Sequence, residues 1–70
     1  MSDEVVTALD SFAAPYGRKI TLESVAYQSG LRMLRIRIRE GRRFTVMDVD
    51  TDTALQWSTA MRTWAAETPN

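Results

Sequence analysis

The chain has 70 residues and a mass of 8.0 kDa, which is room for one small domain spanning 1–70. Lys plus Arg and Asp plus Glu each number 9, so the formal charge is zero, and the sequence contains neither Cys nor His. Those two absences exclude Cys/His zinc sites, disulfide scaffolds, thiol redox chemistry, cysteine nucleophiles, His-dependent triads and haem held through His.

Size scaling gives such a chain a folded surface of roughly 4,400 Å² against roughly 11,600 Å² when extended, so about 60% of its surface is to be buried. A domain this short, with no disulfide or metal, needs an efficient core, a partner or tolerance of marginal stability. The opening Met1, Ser2, Asp3, Glu4 is acidic where a secretory signal would be basic. No stretch approaches the ~20 apolar residues of a membrane helix, and the expected location is the cytoplasm.

The N-terminal segment 1–14 reads two ways. Val5, Leu9 and Phe12 stand at i, i+4 and i+7, with Ser2 placed to cap and Asp3 and Glu4 in a first turn, which suggests one or two turns of helix. The competing reading is a short extra strand, because Ala14-Pro15-Tyr16-Gly17 carries Pro and Gly where a turn closing a hairpin wants them.

Arg18 to Tyr27, Leu31 to Arg39 and Arg43 to Val49 read as three strands of an antiparallel meander. The middle one alternates most cleanly, with Leu34, Ile36 and Ile38 on one face and Arg35, Arg37 and Arg39 on the other. A three-residue loop Gln28-Ser29-Gly30 pairs Ser24 with Leu34, Leu22 with Ile36 and Ile20 with Ile38, which keeps every apolar set on one side. The same test on the next hairpin rejects Glu40-Gly41 as a two-residue loop. It favours an odd loop of three or five residues around Gly41, pairing Ile38 with Phe44 and Ile36 with Val46.

Asp50 then stands as an N-cap, and a helix is expected from about Thr51 to about Ala66, with Thr68-Pro69-Asn70 ending it. Ala54, Trp57, Ala60, Met61, Trp64 and Ala65 form its apolar stripe. The expected core is Ile20, Leu22, Leu34, Ile36, Ile38, Phe44 and Val46 against Trp57, Met61 and Trp64. The fold class is α+β: a three-stranded meander, with room for a short N-terminal element, and one C-terminal helix on one face.

This register places Lys19, Arg37, Arg39 and Arg43 at one end of the outer sheet face, with Thr21 and Thr45 among them, Arg35 opposite Glu23 and Arg42 close by. Between Arg32 and Arg43 six arginines meet one acid, Glu40, a local charge of +5. Such a face can bind nucleic acid through phosphates, although a chain of zero net charge is an unusual vehicle for it. The plainer reading is that the Arg stems cover the sheet and their heads pair with the chain's acids. The other end gathers Val25, Tyr27, Leu31, Met33 and Met47, an apolar patch that something must cover. The N-terminal segment could do so through Val5, Val6, Leu9 or Phe12, and so could a symmetric dimer or another protein.

Asp48, Asp50 and Asp52 imitate the start of an EF-hand loop, but Thr53 stands where that loop needs Gly and Thr59 where it needs Glu, so no metal is expected. Carboxylates, Tyr16, Tyr27 and Lys19 have no spacing that specifies an acid–base site, and phosphate-loop, dinucleotide and nucleophile-elbow motifs are absent. No catalysis and no cofactor are expected.

The runs Ala14-Pro15-Tyr16-Gly17-Arg18, Ser29-Gly30-Leu31-Arg32 and Arg37-Ile38-Arg39-Glu40-Gly41-Arg42-Arg43-Phe44-Thr45 resemble an uncharacterised family of short bacterial proteins. The resemblance covers most of the chain and implies a small, stand-alone bacterial cytoplasmic protein. It carries over no activity, cofactor or site residue. The expected function is a non-catalytic interaction or accessory module with a protein partner or a second copy of itself; the alternative is a nucleic-acid binder using the arginine face.

Overall fold

In the computed structural model, which describes residues 4–67, four strands precede one helix: β1 (Glu4–Ala14), β2 (Arg18–Tyr27), β3 (Arg32–Glu40), β4 (Arg43–Val49) and α1 (Thr51–Glu67). The strands form one antiparallel sheet in the order β1-β2-β3-β4. From Glu4 to Ala14 the segment before Pro15 is therefore an edge strand, not the turns of helix that its spacing also suggests. The expected cap at Ser2, the first-turn Asp3 and the stop at Thr68-Pro69-Asn70 lie outside the described residues. No helix among the described residues is long and apolar enough to cross a membrane.

A β-bulge explains why β1 imitates a helix in sequence. Its register against β2 runs Ala8↔Glu23 and then Asp10↔Leu22, so Leu9 is inserted without a partner of its own. Strict alternation would set Leu9 and Phe12, three apart, on opposite faces. The inserted residue brings both to the same side, where each lines a hollow shared with α1. Pro15, Tyr16 and Gly17 then close the hairpin, with Tyr16 and Gly17 at φ 65° and 74°.

The second hairpin has the expected register, Ser24↔Leu34, Leu22↔Ile36 and Ile20↔Ile38. Its loop is closed by hydrogen bonds from the Gly30 amide to the Tyr27 carbonyl and from the Tyr27 amide to the Leu31 carbonyl, both 2.9 Å.

The third hairpin differs from expectation. Glu40 pairs with Arg43, leaving Gly41-Arg42 as a two-residue turn, and Ile38 faces Thr45 while Ile36 faces Met47. Gly41 has φ 60° and Arg42 has no positive φ, the pattern of a type II′ turn with glycine in its first central place. This one-residue difference turns β4 over. Thr45, Met47 and Val49 join Ile20, Leu22, Ile36 and Ile38 on the helix side, and Phe44 and Val46 leave the expected core for the outer face. Phe44 is accordingly 69% exposed.

α1 begins where Asp50 caps it: the Thr53 amide donates to Asp50 Oδ1 at 3.0 Å, and the Ala54 amide donates to the Asp50 carbonyl. That cap holds the Asp50 carboxyl below its ordinary range, chiefly through the hydrogen bonds from Thr53. The helix meets the sheet mainly along β3, with Ala54, Trp57, Ser58 and Met61 turned toward it. None of its residues is buried, and Trp64, expected in the core, is 66% exposed. Among the described residues the buried apolar side chains are only Val25, Ile36 and Val49.

The Gly41 turn is testable because a Cβ there would meet no atom within 4 Å, so any cost of adding one is backbone strain. Gly41→Ala is expected to lose about 1–2 kcal/mol, a fall of roughly 5–10 °C in Tm, and Gly41→Asn clearly less, because Asn tolerates left-handed backbone better. Thermal melts of the three proteins by circular dichroism provide the check.

Candidate interaction surfaces

The outer face is ordered by cross-strand rows, because residues paired across antiparallel strands share a side. Ala8, Glu23, Arg35 and Asp48 form one row; Val6, Val25 and Met33 lie beyond it; Lys19, Arg39 and Phe44 close the opposite end. Arg35 is the organising cation. Its Nε and Nη2 donate to Asp48 Oδ1 and Oδ2 at 2.9 and 3.0 Å, a bidentate fork, and its Nη1 donates to Glu4 Oε1 at 3.4 Å. These bonds, Asp48 first, hold the guanidinium even more firmly protonated than usual and keep the Asp48 carboxyl below its ordinary range.

The reach from Arg35 on β3 to Glu4 on β1 crosses β2 at the level of Val25. Val25 has no exposed surface although the helix is on the far side of the sheet. Val6 and Met33 flank it in the sheet, and the Arg35–Glu4 ion pair spans its level. Glu23, which stands opposite Arg35, gives its carboxylate to Arg37 instead, at 2.7 Å from Nε.

The expected apolar patch thus separates into parts. Val25 is buried, Tyr27 and Met33 are half-buried and Leu31 is exposed in the loop before β3. Met47 is on the helix side and does not belong to the patch, because it pairs with Ile36. The expected basic patch is corrected in the same way. Lys19, Arg37 and Arg39 share the outer face with Thr21 and Phe44, around a shallow hollow, while Arg42 is in the turn and Arg43 and Thr45 follow the helix-side alternation. Lys19 and Arg39 form no ion pair with the described residues, whereas Arg18 is bound to Glu40 at 2.6 Å.

Sequence reasoning missed the pairing of Arg35 with Asp48, and a signal for it was present. An Ile36–Val46 register turns Asp48 toward the helix, where a carboxylate without a partner is costly. Asp48 and Asp50 are instead a salt-bridge partner and a helix cap.

The helix side carries the larger apolar surface. A groove of about 260 Å³ runs between sheet and helix, lined by Phe12, Leu22, Ile36, Ile38, Trp57 and Met61 among others. Its walls are almost wholly apolar.

Residues 3–67 match a family of unknown function, DUF6967. The chain belongs to that family. No curated protein and no solved structure matches it. Membership in DUF6967 accords with the resemblance seen in the sequence and attaches no chemistry to the groove or to the arginine face.

The Asp48 carboxyl is depressed below its ordinary 3.8, so its contribution to stability is complete above about pH 4 and is lost as pH falls from there through the folded value. Asp48→Asn is expected to lower Tm by a few degrees at neutral pH, with the gap to the wild type narrowing as the pH falls below the ordinary carboxylate range. Melts of both proteins across that range check it; a gap that stays constant into acid contradicts the charge pairing.

Proposed function

We propose that this protein is a small non-catalytic interaction module, working in the bacterial cytoplasm that its resemblance implies, and that its working surface is the helix-side groove. One observation carries the reading: α1 presents Trp57, Met61 and Trp64 toward or beside an apolar sheet face and buries none of them. Contiguous exposed apolar surface of this kind marks an interaction site in a soluble domain. Aromatic and Met side chains are also the types enriched where proteins meet.

A second reading is favoured by one specific feature of the outer face. Phe44 is exposed beside Lys19, Arg37 and Arg39, so a flat aromatic stands among cations, the arrangement that single-stranded nucleic acid uses for stacking and phosphate neutralisation. Arg37 is already paired with Glu23, which leaves Lys19 and Arg39 as the cations free to act.

A photo-crosslinking benzophenone side chain placed at position 61 or at position 44 separates the readings in living cells. The expected result is covalent capture of protein from position 61 and little product from position 44. Nucleic acid captured from position 44, with none but solvent products from position 61, overturns the ranking.

A further inference from the structure

The surface left open is more than a chain of this size ordinarily carries. A folded protein of 8.0 kDa is expected to expose about 4,400 Å², yet this one exposes 5983 Å², an excess of about 1,600 Å². The Cα radius of gyration is 14.1 Å, where about 11 Å is expected for 70 residues. The strands are well paired, so the shortfall lies in the second layer. α1 covers only part of the sheet face it stands against.

The chemistry of the uncovered surface restricts what can cover it. The α1 stripe continues from Trp57 through Met61, which is 56% exposed, to Trp64, and the sheet adds Phe12 and Met47. The charged residues of α1 are Asp52, Arg62 and Glu67, and none belongs to the stripe. The groove lining itself holds no charged side chain, and the charges around it on the helix-side sheet face, among them Asp10, Glu40, Arg18 and Arg43, are of both signs, so the face selects no partner of a single charge and can complement itself about a two-fold axis. The area agrees as well. Two copies each contributing about 1,600 Å² would bury about 3,200 Å², within the range of obligate homodimers.

We propose that the groove is filled by a second copy of this chain, related by a two-fold axis, with α1 of each copy packed along the helix and open sheet face of the other. The proposal rests on the interaction reading above and names its partner. The cationic outer faces then point away from the interface, one on each side of the dimer.

Sedimentation of the full chain between about 1 and 100 µM, read together with tryptophan emission, tests it, because the only two tryptophans lie on α1. The expected species has twice the chain mass and blue, shielded emission that shifts red on dilution into the monomer. Trp64→Glu should sediment as a monomer, and the milder Trp64→Ala should weaken association at least tenfold. Val46→Lys, on the outer face, should remain a dimer. A wild-type monomer throughout with red emission overturns the second copy and leaves the groove for a foreign partner. A monomer with blue emission overturns both the dimer and the interaction reading, since the groove would then be closed within one chain. Wild-type association by Trp64→Glu likewise overturns the proposal.

Discussion

The whole arrangement depends on the parity of one turn. Side chains alternate along a strand with period two, so the two residues between Glu40 and Arg43 decide which half of β4 faces the helix. With Gly41-Arg42 as the turn, Asp48 comes beside Arg35 and Met47 beside Ile36. One residue more or less would place the carboxylate under the helix and leave Arg35 without its fork. The left-handed backbone that the turn demands is supplied by glycine, and the right-handed twist of the strands favours this turn class.

From that parity the two faces diverge in character. The outer face largely satisfies itself: Arg35 ties β3 to β4 and, across the level of the buried Val25, to β1, and Arg37 ties β3 to β2. The helix side does not. A 17-residue helix is marginal in water unless an apolar face is packed, and α1 begins with a good cap but finds only part of the sheet to rest on. The exposed tryptophans are therefore a physical clue to association. They are the side chains whose exposure is least expected of a finished fold.

Much of this was legible in the sequence, for identifiable reasons. The Ile-Arg alternation of β3 specified a half-buried strand, and Gly30 specified a three-residue loop, so the β2–β3 register could be derived residue by residue. Asp50 announced the helix start because a carboxylate there satisfies a free amide. β1 was ambiguous because the bulge at Leu9 breaks period two and leaves a spacing that a helix would also give. The β3–β4 register was misread because apolar Phe44 and Val46 look like core residues when only hydrophobicity is weighed. The charge of Asp48 was the better guide, since a carboxylate tolerates burial far less well than Phe tolerates exposure. The groove was beyond reach of the sequence, because the stripe of α1 reads identically whether its own sheet or another copy covers it.

The most direct test of the account is the cross-strand contact of Ile36. In isotope-labelled protein, nuclear Overhauser contacts across β3 and β4 should join Ile36 to Met47 and Arg35 to Asp48. Contacts joining Ile36 to Val46, with Ile38 to Phe44, would show β4 turned the other way and would contradict the assignment of both faces.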